Sequence, residues 1–254
     1  MLKKTNYDDT SKADHAVFPE LESTKSVHGI FSRHGGKSAD LWRSLNVSYA
    51  VGDSQETVDE NRQRIKSALG ISRLVSAGQV HGDQVLAIEE KPAVDIEKEG
   101  YDALITNVSG IGLMVQQADC QAVLLFDESR SVAGVIHAGW RGSVANIIDK
   151  TIAEIDRRFD IRPKNLLAAV SPSLGPCCAE FINFRDELPT EFHAYQPQAA
   201  HFNFWEISRG QLTDAGVRDE NITLSGVCTV CNHEYYSYRR EGITGRFASV
   251  VGLL

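Results

Sequence analysis

The chain has 254 residues and a mass of 28.0 kDa, a length that fits one large globular domain with its own core. It carries 26 Lys and Arg against 34 Asp and Glu, and this net charge of -8 argues against a broad basic surface for nucleic acid. The 5 cysteines are an odd number in a chain that needs no disulfide staples, which excludes a disulfide framework.

The N-terminal residues are polar and predict a flexible tail over residues 1–15, followed by a single domain over residues 16–254. The sequence contains neither a secretory signal nor an apolar run long enough to cross a membrane. We therefore expect a cytoplasmic protein with reduced thiols and no membrane partner.

Apolar residues recur with helical spacing in three parts of the chain. Asp53 and Glu56 are spaced as a capping box before the first of these helices, and Gly70 supplies its end. The second helix follows Gly142. The predicted helices cover residues 58–69, 144–159 and about 204–215.

Short apolar runs bounded by turn residues predict strands between and beyond these helices. The runs are 74–75, 85–88, 103–106, 112–116, 122–126, 133–137, 166–170, 222–224 and 248–254. This mixture indicates an α/β (α+β) fold: a single domain with a layered, mostly mixed β-sheet core flanked by helices.

Three of the predicted strands end in a polar or glycine-rich turn that holds a metal-capable residue. These residues are His81, Cys120 and His137, at spacings of 39 and 17 residues that match no zinc finger. Two imidazoles and one thiolate form a suitable open zinc site, in which the fourth position is left for water or substrate. Taken singly, each residue also fits a hydrogen-bonded histidine or a buried cysteine.

The same segments resemble the YfiH or laccase-domain family, which is also called the multicopper polyphenol oxidoreductase or purine nucleoside phosphorylase family. Some members are described as peptidoglycan editing factors. The resemblance covers nearly the whole chain. Its most specific segments are 102–106 (DALIT), 118–120 (ADC), 137–142 (HAGWRG) and 175–178 (GPCC).

This resemblance implies a CNF1/YfiH-like fold and a single zinc ion held by His81, Cys120 and His137, with copper as the less favoured ion. It also implies phosphorolysis of adenosine, inosine and S-methyl-5′-thioadenosine, together with adenosine deamination. The expected partners are a purine nucleoside and phosphate, without nucleic acid, for a monomer or a weak homo-oligomer.

Several residues in these segments are candidates for the chemistry. Arg141 could hold phosphate with its planar guanidinium group, because it lies close to His137 in the chain. Asp119 could serve as general acid or base, or could instead orient a ligand or cap a turn. Cys120 is a catalytic candidate as well as a ligand. Further substrate-binding candidates are Arg33, Asn46, Cys177 and Arg240, with Arg239 and Arg246 as additional arginines.

The remaining cysteines form two short motifs that the sequence gives no reason to combine. The vicinal pair Cys177 and Cys178 predicts local packing, with a pocket wall or an oxidation-sensitive thiol as alternatives. Cys228 and Cys231 have CxxC spacing, but the motif occurs once and a zinc ribbon needs two. We therefore expect Cys228 and Cys231 to be structural, without a redox role or a second metal.

Three other functions remain open. Cys120 with His137 as base could form a hydrolase or amidase acting on peptidoglycan precursors. A copper-dependent polyphenol oxidase (laccase) would need more His ligands than these segments offer. A non-catalytic accessory protein would bind a nucleotide-like or cell-wall ligand without turnover. The GxGxxG, Walker, GxSxG and cytidine-deaminase zinc motifs are absent from the sequence.

Overall fold

A computed structural model of the chain describes residues 2–5, 12–129 and 131–254. Within them, thirteen strands form two sheets that six α-helices accompany. The strands are β1 Lys3–Thr5, β2 His15–Val17, β3 Ser26–Phe31, β4 Arg73–Gly78, β5 Val85–Ile88, β6 Ile96–Glu99, β7 Ala103–Thr106, β8 Ile111–Gln117, β9 Gln121–Asp127, β10 Val132–Ala138, β11 Leu167–Val170, β12 Ile222–Leu224 and β13 Phe247–Leu253. The helices are α1 Gln55–Leu69, α2 Trp140–Val144, α3 Ile147–Phe159, α4 Phe184–Glu187, α5 Phe204–Asp214 and α6 Tyr238–Glu241.

Both sheets mix parallel and antiparallel pairs. The first has the order β1-β2-β3-β13-β8-β4-β6, in which β13 is antiparallel to β3 and β8, and β4 is parallel to β8 and β6. The second has the order β12-β11-β9-β10-β7-β5, with β9, β10 and β7 antiparallel and the outer pairs parallel.

The two sheets share one apolar core, and helices cover their outer faces. In β8, Val115 faces this shared core, whereas its neighbour Met114 packs with Ile65 of α1 on the other side. In β9, Leu124 faces the shared core, and Val123 packs among the isoleucines of α3. The layers therefore run from α1 through both sheets to α3 and α5, which confirms the predicted layered α/β domain.

The helix ends differ in detail from the sequence prediction. The N-cap of α1 is Ser54, whose hydroxyl accepts a hydrogen bond from the Thr57 N–H, so the capping box from Asp53 is wrong. The helix predicted after Gly142 is two helices, because Asn146 has a φ of 53° and caps a new helix, α3. No helix in the described part of the chain is long and apolar enough to cross a membrane.

Several strands escaped prediction, and part of the expected tail is ordered. Lys3–Thr5 pairs antiparallel with His15–Val17 at the sheet edge, so the flexible tail is wrong for these residues. A short polar strand can pair there because main-chain hydrogen bonds need no apolar side chain. Residues 1 and 6–11 of that tail lie outside the described residues. The strands β3 and β6 were not predicted either, because polar residues such as His28 and Glu97 interrupt their apolar runs.

The chain crosses from the first sheet to the second between β8 and β9, within the three residues 118–120. The strand β4 ends beside β8 in the first sheet, and β10 ends opposite the start of β9 in the second. This short crossing gathers strand ends from both sheets at one rim of the sandwich, and that rim carries the candidate site.

Candidate functional site

The three predicted metal ligands come from different strand ends and meet at this rim. His81 follows β4, Cys120 lies in the crossing between the sheets, and His137 is the penultimate residue of β10. Residue His137 pairs with Ala122 in the ladder between β10 and β9, which brings it level with Cys120. The fold thus brings together residues that are 39 and 17 positions apart in the sequence.

The donor atoms of these residues are close enough to share one ion. One nitrogen of each imidazole and the Cys120 sulfur all lie within 4.8 Å of one another. The distance from Cys120 Sγ to His81 Nε2 is 3.9 Å, and the two imidazole rings meet edge to face with centroids 4.9 Å apart. His137 is buried and His81 is exposed, so the group opens on one side only.

A buried carboxylate, Asp102, orients two of the three ligands. Its Oδ1 lies 2.8 Å from His137 Nδ1 and accepts a hydrogen bond from the His81 N–H at 3.0 Å. Its Oδ2 accepts from the N–H groups of Val80 and Gly82. Because Asp102 occupies Nδ1, the Nε2 of His137 is left to face the group, as in a carboxylate–histidine–metal arrangement.

The backbone around the group is held in sparsely populated conformations. His81 has a φ of 60° and Asp119 a φ of 91°, values that non-glycine residues rarely adopt. A Cβ at Gly139 would lie 3.0 Å from the His81 ring and 3.2 Å from the Cys120 sulfur. Glycine at this position therefore leaves space beside the donor atoms.

The thiol and the imidazoles change each other's ionisation. Burial opposes ionisation of the Cys120 thiol, but His137 and His81 outweigh it and lower its pKa to about 6. Burial also lowers the pKa of His137, but the Cys120 sulfur and Asp102 outweigh it and raise that pKa to about 9. At neutral pH the metal-free site therefore holds a thiolate beside an imidazolium, and the thiolate is the form that binds metal.

A cavity of about 730 Å³ opens over the three donor residues. Its walls combine aromatic rings, carboxylates, carboxamides and two arginines. The walls include Gln79, Glu97, Glu99, Gln116, Trp140, Glu180, Phe181, Phe204, Tyr238, Arg239 and Arg246. A cavity of this size and lining suits a small polar ligand with an aromatic part.

Asp119 lines the cavity, and both of its carboxylate oxygens have partners. Its Oδ1 accepts a hydrogen bond from the Thr229 hydroxyl at 2.6 Å, and its Oδ2 accepts from the Arg239 N–H at 2.6 Å. Its carbonyl accepts from the Leu174 N–H. The residue therefore joins the sheet crossing to two loops of the cavity wall, which corresponds to the turn-capping alternative.

Arg141 lies on the first turn of α2, directly after Trp140. Its guanidinium carbon is 4.4 Å from the centroid of the Trp140 ring, and the side chain is exposed. Among the described residues that line the cavity, Trp140 is present and Arg141 is not. Successive helical residues are about 100° apart around the axis, so proximity in the chain to His137 did not bring Arg141 to the same face.

The other predicted substrate-binding residues are not among the described residues that line the cavity. Arg33 and Arg240 both pair with Glu241, at 2.6 and 2.8 Å. Asn46 is buried, and its Oδ1 accepts a hydrogen bond from the Arg246 N–H at 2.9 Å. Asn46 thus reaches the cavity through Arg246. Cys177 lies in a separate cluster of thiols.

The sequence analysis gave no role to Asp102, Phe181 or Tyr238. Asp102 precedes the predicted strand 103–106, and its position opposite His137 depends on the pairing of β7 with β10. Phe181 belongs to a loop and Tyr238 begins the short helix α6, and no local pattern specifies the position of either. An acidic residue directly before a buried strand was the one available signal, and it applied to Asp102 alone.

Residues 27–254 match the model of the family described as multi-copper polyphenol oxidoreductase laccase. The chain belongs to this family. The match includes all three donor residues and every described residue of the cavity wall named above.

Relatives within the family carry a second description. The chain is 30% identical over 246 residues to purine nucleoside phosphorylase YlmD of Geobacillus stearothermophilus, covering 89% of this chain and 90% of that protein. It is 33% identical over 240 residues to a purine nucleoside phosphorylase of Deinococcus radiodurans, covering 89% and 88%. The crystal structure of YlmD superimposes with a TM-score of 0.84 at 28% identity, over 98% of each chain.

We predict that the substitution Asp102→Asn weakens metal binding roughly 10- to 100-fold, because an amide NH2 would face N–H donors and the His137 ring would lose its anchor. Competition with a chromophoric chelator measures this affinity. Asp83→Asn is the matched control, because Asp83 pairs with Lys150 at the surface and should leave the affinity unchanged. Equal affinities for both variants would contradict the role of Asp102.

We also predict a pH dependence for alkylation of Cys120 in the metal-free protein. Since its pKa is lowered to about 6, the rate with iodoacetamide should reach half its maximum near that pH. His137→Gln removes the neighbouring charge and should move the midpoint to about 8.5 or above. Peptide mass spectrometry isolates Cys120 from the other thiols. An unchanged midpoint in the variant would show that His137 does not stabilise the thiolate.

Proposed function

We propose that this chain is a zinc-dependent purine nucleoside phosphorylase that acts on adenosine, inosine and S-methyl-5′-thioadenosine and also deaminates adenosine. The observation that carries the proposal is a single cavity that combines a three-donor group, two arginines and aromatic walls. The names of the relatives described above agree with the phosphorylase part.

The donor set fits zinc. Two imidazole nitrogens and one thiolate are ligands that zinc favours, and three protein ligands are typical of a catalytic rather than a structural site. The hydrogen bond from His137 to Asp102 supplies the outer partner that such ligands have. When bound there, zinc supplies Lewis-acid chemistry at a position open to the cavity. Copper oxidase centres need more imidazoles than the two offered by this group.

Arg239 and Arg246 are the best candidates for binding phosphate. Both line the cavity, and each uses Nη1 to bind main-chain carbonyls. Among the described residues, their Nη2 atoms have no hydrogen-bond partner. A guanidinium that is fixed on one side and free on the other suits bidentate recognition of phosphate oxygens.

The aromatic walls offer the surface that a purine base needs. Trp140, Phe181 and Tyr238 present ring faces on which a base can stack, and Gln79 and Gln116 provide amide groups nearby. Gln79 already holds the Gln116 main chain through two hydrogen bonds of 2.7 and 2.8 Å. The base and the phosphate would therefore bind in one cavity, with Arg239 close to the ring of Phe181.

Phosphorolysis follows from this arrangement. A phosphate oxygen held by the arginines forms the new bond to C1′ of the ribose, and the bond from C1′ to the purine nitrogen breaks. The electron pair of that bond leaves with the purine, which takes up one proton. Asp119 lies in the sheet crossing and accepts a hydrogen bond from the Arg239 N–H, and we assign it to positioning because both its oxygens already accept hydrogen bonds.

A Cys–His hydrolase is the second candidate, and the thiolate beside an imidazolium in the metal-free site favours it. The two functions exclude each other at Cys120, because a sulfur bound to zinc is not free to attack an amide. Metal bound at the group of His81, Cys120 and His137 therefore distinguishes them before any substrate is tried.

The decisive experiment compares wild-type protein with His81→Ala. Wild type should contain zinc at this site and release adenine from adenosine only when phosphate is present, and His81→Ala should lose both properties. His34→Ala is the control, since His34 is an exposed histidine that pairs with Glu234. Chromatography separates adenine from inosine, the product of deamination. Retained phosphorolysis in a His81→Ala protein that has lost the metal of this site, or hydrolysis of peptidoglycan amides by it, would overturn the proposal.

A second experiment tests the phosphate site. Arg246→Lys keeps the charge but loses the planar fork, so KM for phosphate should rise roughly 10-fold or more, as for the loss of a charged hydrogen bond. Arg141→Lys is the matched control and should change KM less than about 2-fold, within the range of a surface substitution. The reverse result would return the phosphate role to Arg141.

A further inference from the structure

The four cysteines outside the candidate site lie together, although the sequence separates them into two motifs about 50 residues apart. Cys177 and Cys178 belong to the loop after β11, and Cys228 and Cys231 to the loop after β12. All four sulfurs lie within 4.8 Å of one another. The distances from Cys231 Sγ to Cys177 Sγ and Cys178 Sγ are 3.7 and 3.6 Å.

Main-chain hydrogen bonds fix the two loops against each other. The strands β11 and β12 are parallel neighbours, and their pairing continues into the loops. Ser173 N–H donates to the Val227 carbonyl at 3.1 Å, and Thr229 N–H donates to the Ser173 carbonyl at 2.9 Å. The convergence of the two cysteine pairs is therefore a consequence of the sheet.

The loop around Cys228 directs a main-chain donor at its sulfur. Gly175 N–H donates to Cys228 Sγ at 3.3 Å. A Cβ at Gly175 would lie 2.8 Å from the Cys228 Cβ, so the close approach of the loops requires glycine. Donors directed at a buried sulfur are typical of a ligand that carries negative charge.

The sulfurs are not joined by disulfides. All four thiols are free, and their separations are far longer than the roughly 2.05 Å of an S–S bond. They do match the edge of a tetrahedron, because four sulfurs placed about 2.3 Å from one zinc ion lie about 3.8 Å apart. Four sulfurs in a tetrahedron favour zinc or iron over harder ions.

We propose that Cys177, Cys178, Cys228 and Cys231 bind a zinc ion in a closed four-thiolate site. This second site is structural, because four protein ligands leave no position for substrate. It shares no ligand with the group of His81, Cys120 and His137, so the proposal does not depend on the function proposed above.

The ion would fasten two loops that form part of the cavity wall. The first loop continues to Phe181, and the second leads to Tyr238 and Arg239. Arg239 Nη1 already bridges these loops, since it donates to the Cys178 carbonyl at 3.0 Å. Loss of the ion should therefore loosen the binding of substrate and leave the donor group over β4, β8 and β10 intact.

The test is the zinc content of protein purified under reducing conditions, measured by inductively coupled plasma mass spectrometry. The double variant Cys177→Ser with Cys231→Ser should hold one zinc ion fewer than wild type, and both changes are at exposed positions. The matched variant His81→Ala disrupts the other site and should keep the four-thiolate zinc. Combining all three substitutions should remove zinc completely.

Cobalt spectroscopy gives a second readout that does not require the double variant to fold. His81→Ala loaded with Co2+ should show the intense sulfur-to-cobalt charge-transfer bands of four-thiolate coordination. The proposal is overturned if these bands are absent, if His81→Ala retains no zinc, or if the folded double variant keeps the full zinc content of wild type. A disulfide among the four cysteines, or iron in place of zinc, would overturn it equally.

Discussion

The hydrogen bonds of Asp102 are the constraint on which the candidate site depends. This fully buried carboxylate accepts from three successive main-chain N–H groups of residues 80–82 and also binds the His137 ring. Asp102 therefore fixes both the backbone conformation at His81 and the ring orientation of His137. A buried carboxylate is costly unless its oxygens are satisfied, and these donors lower the pKa of Asp102 despite burial. The hydrogen bonds from residues 80–82 and from His137 offset the cost of burying this carboxylate, and the same bonds position two of the three donor residues.

The packing of the two sheets allows one carboxylate to position both histidines. Asp102 directly precedes β7, which pairs with the strand β10 that carries His137 in the second sheet, and the turn at His81 leaves the first sheet. The carboxylate therefore connects the two sheets at the rim where the chain crosses between them. Cys120 lies in that crossing, so its position is tied to both sheets by covalent structure alone. A site at this junction has a rigid base, and the later loops and α6 contribute one part of its cavity wall.

Sequence patterns could predict the buried strands but not their neighbours. The strands β9 and β10 are covered on both faces, so they are continuous apolar runs that stand out. The polar strand β1 has no such signal, because it pairs through its main chain at an edge. The three donor residues were predictable from a resemblance in their motifs. As a candidate for phosphate binding, the sequence favoured Arg141 over Arg246, because Arg141 lies in the same segment as His137. Closeness in the chain does not place two side chains on the same face of a helix, and Arg246 lines the cavity whereas Arg141 does not.

The five cysteines also show that local sequence patterns do not reveal which distant segments become neighbours. An odd count excluded a disulfide framework, and one thiol, Cys120, then separated from the rest through its two imidazole neighbours. The other four appeared as unrelated motifs because no local pattern reveals that β11 and β12 are adjacent parallel strands. Once adjacent, the loops after these strands must bring their cysteines together. A group with one thiol and two imidazoles and a cluster of four thiols can coexist in one chain, because the two share no residue and the first opens to a cavity.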